Sequence, residues 1–237
     1  MAAAHRCRAD RLSFGDQSAI LAAAVDSIAA DFPVPVSLVG HSIGGMLAIL
    51  TAAATISPVT GIEVSGLGEL WQPGLREMWG SMIGDAAVIE LPPEAHSGVM
   101  LGPAETQKPG APDLNAAFLR PMPMPELRDV VAWSDSVPSA AAAITVSIKL
   151  TLAEFDNIWQ ADAAAQSALA RHFTASPRVE IGQFVGAGHS IEFHSNAGDY
   201  VASQVDFIDS LRRRLTSPTI DSRRGAGSRS SCARALA

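Results

Sequence analysis

One serine in this chain stands in a setting that its neighbours do not need for themselves. The short apolar run Val36-Ser37-Leu38-Val39 leads into Gly40-His41-Ser42-Ile43-Gly44, Gly45 extends the turn, and an alanine- and leucine-rich stretch resumes at once. A hydroxyl on a tight strand-to-helix turn is held out from the sheet, where it can act as a nucleophile. Such a turn strains its central residue, and a side chain two residues to either side is expected to collide with neighbouring backbone, which explains Gly40 and Gly44. The pentapeptide alone says little; the strand before it and the helix after it give it meaning. The plainer alternative is a glycine-rich turn with a bystander serine.

A serine hydroxyl needs a base to take its proton, and the base needs a third group to hold it. The chain has six histidines. His41 lies inside the turn and flanks the serine without reaching its proton. His5 stands in the first residues, His96 in a segment rich in tryptophan and methionine, His172 at the end of a helical stretch, and His194 ahead of the last helix. His189 differs: in FVGAGHSIEF it follows the last apolar strand on a loop cleared by Gly186 and Gly188. A loop at the carboxyl end of a parallel strand shares its rim with the serine turn. Asp156, in LTLAEFDNIW, follows the preceding strand by four residues and is the candidate to orient His189, with Glu154 and Asp135 as competitors. The alternatives are a capping or core histidine and a surface ion pair. The Ile43 backbone N–H, next after the serine, supplies one donor for a developing oxyanion.

These loops require strands and helices in alternation. Residues 16–30 place Ile20, Leu21, Ala24, Val25 and Ile28 at helical spacing, and that stripe is the expected buried face. Strands are predicted at 36–39, 61–68, 144–152 and 179–185, and a closing helix at about 197–215 with Tyr200, Val201, Val205, Phe207, Ile208 and Leu211 inward. Strands alternating with helices predict an α/β class with a parallel sheet covered on both faces. Between about Leu70 and Ala140 the alternation breaks. That stretch holds Trp71, Trp79 and Trp133, too long for a loop and too apolar for a linker. A helical lid over a pocket lined by these tryptophans is expected there, with a few edge helices packed on the sheet as the alternative. The domain reading is therefore a core of residues 1–69 and 141–215, a lid of 70–140, and a disordered basic tail of 216–237.

Bulk properties narrow the partners. Seventeen basic against 24 acidic residues leave a formal charge of −7, which argues against nucleic acid. No apolar run approaches the roughly 20 residues of a membrane span, and the first residues lack a signal peptide's apolar region, so a cytoplasmic location is expected. Cys7 and Cys232 read as reduced and incidental. No H-E-x-x-H, paired-cysteine spacing or phosphate-cradling loop is present, so no metal or cofactor is expected.

LVGHSIGG, EFDNIW and GAGHSIEFH, in that order and each behind a strand, resemble the α/β-hydrolase superfamily over residues 16–215. The resemblance implies a nucleophile elbow of Gly40, His41, Ser42, Gly44 and Gly45, and a Ser42–His189–Asp156 triad. It also implies a mostly parallel sheet with a lid between its sixth and seventh strands. The expected activity is hydrolysis of a small, apolar carboxylic ester or related acyl substrate through an acyl-enzyme. Thioester or carbon–carbon bond hydrolysis and cofactor-free perhydrolysis are further expectations of the same site. One departure stands out: family members carry about four strands and an oxyanion loop before the elbow, and here 41 residues precede Ser42. A partial fold is expected, with an exposed sheet edge open to oligomerisation and a catalytically impaired binding module as the rival function.

Overall fold

The computed structural model describes residues 12–216; the cysteines, His5 and the basic tail from residue 217 lie outside them. Helix α1 (Phe14–Asp31) opens on a capping box, in which Ser13 Oγ accepts from the Asp16 N–H and the Asp16 carboxylate accepts from the Ser13 N–H. Pro33 and Pro35 cannot continue a helix, and strand β1 (Val36–His41) starts directly after them. Ser42 then caps α2 (Ile43–Ala54), which returns to β2 (Val59–Ser65).

A long segment follows, with α3 (Leu75–Ser81), β3 (Val88–Ile89), α4 (Pro93–Met100), α5 (Ala111–Phe118), β4 (Met122–Pro123), α6 (Met124–Val131) and α7 (Trp133–Ala142). The chain re-enters the core with β5 (Ser147–Phe155), α8 (Ala163–Ala170), β6 (Val179–Gly188) and α9 (Ala197–Thr216).

Strands β1, β2, β5 and β6 form one sheet in that spatial order, every neighbouring pair parallel. Parallel strands need crossover connections, and helices supply them here, as the alternation predicts. β3 and β4 form a separate antiparallel pair. Side chains alternate across β2: Ile62 and Val64 join the main core with Met46 and Ile49 of α2, while Gly61, Glu63 and Ser65 turn toward α9. Gly61 lets α9 approach closely, since a Cβ there would lie 2.4 Å from Leu211 Cδ1.

Two helices bury different faces from those their spacing suggests. In α1 the buried stripe is Phe14, Ser18, Ala22 and Val25, whereas Ile20, Leu21 and Ile28 are exposed. The small residues Ser18 and Ala22, four apart, let α1 sit close on α2, and that close fit outweighs the larger apolar side chains of the other face. In α9 the inward residues include Tyr200, Phe207 and Leu211, and Val201 and Val205 are exposed. Gln204 shares the inward stripe because buried polar partners on β2 face it.

The segment between β2 and β5 divides. α7 packs on α2 and α6 on α1, with the Asp129 carboxylate accepting from the Phe14 N–H and Glu126 from the Gln17 amide. α4 packs on α5, and the residues between them run along the loop that follows β6. At the other end of the sheet β1 is an edge strand, and Val39 in its middle is 52 % exposed.

Candidate active site

Ser42 sits at φ 53° and ψ −124°, and among the described residues it is the one non-glycine with positive φ. Strain of this kind persists only where the surroundings over-determine it. The Ser42 N–H donates to the Ser65 carbonyl at 2.8 Å, and the Ser42 carbonyl accepts from the Gly45 and Met46 N–H groups. A Cβ on Gly40 would lie 2.3 Å from the Gly44 carbonyl oxygen, so only glycine fits there. The same reasoning fails at Gly44, where a Cβ would meet nothing within 4 Å. The second tight position is Gly45, against Leu67. Ile43 is the first residue of α2, and its N–H has no acceptor within the helix.

The rim of the sheet brings the other two residues to the serine. His189 Nε2 lies 2.9 Å from Ser42 Oγ, and His189 Nδ1 lies 2.9 Å from Asp156 Oδ2. Both His189 and Asp156 are buried. The second Asp156 oxygen accepts from the Ile158 and Trp159 N–H groups at 2.8 and 3.1 Å. Burial pushes the Asp156 carboxyl up, but the His189 charge and these hydrogen bonds outweigh it and hold the group below the usual carboxylate range. Glu154 instead accepts from the Gly186 N–H and braces the histidine loop, and Asp135 pairs with Arg76.

That loop is clamped from the far side. Gly188 and Gly102 touch so closely that a Cβ on Gly188 would lie 2.1 Å from the Gly102 nitrogen. The Ser190 N–H donates to the Met100 carbonyl at 2.9 Å. His194 is fully buried; its Nε2 accepts from the Gly188 N–H at 2.8 Å, so its proton sits on Nδ1, 2.9 Å from Thr106 Oγ1. Burial holds the His194 imidazole below its ordinary range.

A profile of the alpha/beta hydrolase family matches residues 2–204. The chain belongs to the alpha/beta hydrolase family. Curated protein sequences give no significant match. Among solved structures, this hydrolase is similar to the monoacylglycerol lipase of Paleococcus ferrophilus, at 16% identity over 84% of this chain and 76% of that one, with a TM-score of 0.60. It is also similar to a soluble variant of Saccharomyces cerevisiae monoglyceride lipase (14% identity, 84% and 68% covered, TM-score 0.61). A thermophilic esterase from Thermogutta terrifontis aligns comparably (14% identity, 84% and 73% covered, TM-score 0.59). At these identities the likeness is one of fold.

The hydrolase's tryptophans sit in the core. Trp71 packs against Trp79 and Trp159, and Trp133 is 1 % exposed among core side chains, which is core packing and not an open substrate pocket. Trp79 borders a small apolar hollow shared with Met82, Ile89, Leu91, Met122 and Leu127. No helix among the described residues is long and apolar enough to cross a membrane. Spacing does not single out Ser65, Gly66 or His194, and it turns Tyr200 inward without assigning it a partner. Their roles come from contacts across the sheet, and the one signal in the sequence was a polar residue inside an apolar strand.

Proposed function

We propose that this hydrolase cleaves a small, apolar carboxylic ester or related acyl compound through an acyl-enzyme on Ser42. The reading rests on one observation: the continuous hydrogen-bonded line from Ser42 through His189 to Asp156, 2.9 Å at each step. Ser42 Oγ attacks the carbonyl as its proton passes to His189 Nε2. Asp156 holds the proton on His189 Nδ1 and stabilises the imidazolium that forms. The Ile43 N–H donates to the oxyanion. His189 then returns the proton to the leaving alcohol, and water releases the acyl group by the same route. Substrate selection belongs to the 70–140 lid.

A second reading is favoured by the elbow's open side. A Cβ on Gly44 would meet nothing within 4 Å, and among the described residues the Ile43 N–H at the start of α2 is the one donor assigned to the oxyanion. Losing one such donor costs about 10²–10³ in rate, which would make the protein a slow enzyme or a binding module. Labelling with a fluorophosphonate, with Ser42→Ala as control, separates the two. Incorporation in the wild type that vanishes in the variant supports the triad. Incorporation that survives removes Ser42 as nucleophile, and none in either protein favours the binding module. A 4-nitrophenyl ester series then ranks acyl chain length.

A further inference from the structure

We propose that His41 is a positioning residue for His189, held by a buried hydrogen-bond chain from α9, and that it offers the imidazolium formed in acyl transfer a neutral ring to rest against. This rests on the triad reading above and extends it.

The chain begins at Gln204, whose amide donates to Glu63 Oε2 at 2.5 Å and to Tyr200 Oη at 2.8 Å. The Tyr200 hydroxyl donates to Ser65 Oγ at 2.6 Å. Ser65 Oγ lies 2.9 Å from His41 Nδ1, a hydrogen bond that a neutral ring makes in either tautomer. His41 Nε2 is buried without a partner, where a neutral ring costs less than a charged one. Glu63, Ser65 and Tyr200 are all buried, a polar row through a sheet face where apolar residues would cost less.

The row ends beside the triad. The His41 and His189 ring centroids are 5.1 Å apart, with the planes at 58°. Gly66, at φ 63°, forms their shared floor: a Cβ there would lie 2.5 Å from His41 Cε1 and 3.2 Å from His189 Cε1. Ser65 thus holds the nucleophile's backbone by its carbonyl and His41 by its hydroxyl. A neutral aromatic ring within about 6 Å of a cation attracts it. A charged ring would repel it.

The titratable groups facing His41 are His189 and Asp156, with Tyr200 and Glu63 further along the chain. Burial first, then the His189 charge, bring His41 down to about 3 against a weaker opposing pull from Asp156, so it stays neutral beside the working imidazole.

The test is the rate of fluorophosphonate labelling at Ser42, split into apparent affinity and maximal rate. His41→Asn keeps an acceptor for Ser65 and loses the ring; His41→Phe keeps the ring and loses the acceptor. The expected result is a maximal rate about 3–30-fold lower in His41→Asn, with unchanged apparent affinity, and a smaller loss in His41→Phe. In Ser65→Ala the His41 ring loses its hydrogen-bonded anchor, and a lower maximal rate with unchanged apparent affinity is expected. A wild-type rate in His41→Asn, or equal slowing in both His41 variants, overturns the proposal while leaving the triad standing. Should His41→Asn fail to fold, a wild-type maximal rate in Ser65→Ala overturns it. A wild type that takes no label overturns the triad, and this proposal with it.

Discussion

The two flanks of Ser42 are built to different tolerances. Toward His189, Gly188 and Gly102 meet at 2.1 Å from a would-be Cβ, His194 satisfies the Gly188 N–H, and every Asp156 oxygen has a partner. Toward the oxyanion side, Gly44 faces open space and the edge strand β1 leaves Val39 half exposed. The flank of His189 and Asp156 is fixed by main-chain contacts on several sides. In the proposed mechanism, the charge on the oxyanion falls to the start of one helix.

Breaking the crowded flank should cost most. Asp156→Asn keeps the shape but lets His189 adopt the wrong tautomer, and a loss of about 10⁴ in the rate of ester cleavage or labelling is expected, with the fold retained by circular dichroism. Gly188→Ala drives a methyl into the Gly102 backbone, and destabilisation of about 1–3 kcal/mol or more should appear in urea melts. His194→Leu leaves the buried Gly188 N–H without an acceptor, for about 1–3 kcal/mol, with faster amide hydrogen exchange in the histidine loop as the local sign.

Acid should probe the same asymmetry more gently. His41, His96 and His194 all titrate below the ordinary 6.5, each chiefly through burial. Their folded pKa values are lowered, so their contribution is complete above 6.5 and is lost as pH falls toward the folded values, at up to about 1.4 kcal/mol per pH unit for each fully buried ring. Glu63 and Glu126, raised by burial above 4.5, lean the other way and reduce the slope at the lower end. Urea midpoints should fall between pH 7 and 5, and less steeply in His41→Asn; a flat profile would contradict the burial argument.

The smallest effect belongs to the open flank. Gly44→Ala places a methyl in open space within a helix, and a gain of about 0.4–1 kcal/mol is expected with activity nearly unchanged. A large loss of activity there would mean that the oxyanion side is as crowded as its opposite.

Much of this was legible in the chain itself. The four strands of the main sheet follow their apolar runs, and the elbow, acid loop and histidine loop fall at the ends of β1, β5 and β6 as spacing predicts. Short-range pattern reaches that far because strand and turn propensities are local. Which side of α1 is buried was not legible, since close packing of Ser18 and Ala22 on α2 depends on a partner distant in the fold. Nor was the row from Glu63 to His41, whose members are up to 163 positions apart by their numbers (Gln204 less His41) and meet only when β2 lies between α2 and α9. The tryptophans misled for a related reason: a large aromatic near a site fills the core as readily as it walls a pocket.

Strand β1 carries the nucleophile at its tip while standing outermost in the sheet, with a main-chain ladder along one side alone. The one non-glycine residue with positive φ among the described residues is thus anchored to an edge strand, as the residues before His189 are on β6. Loosening at that margin would let residue 42 relax to an ordinary conformation and carry its hydroxyl out of reach of the imidazole. Heat or mild denaturant would then silence the catalyst while most of the protein remained native.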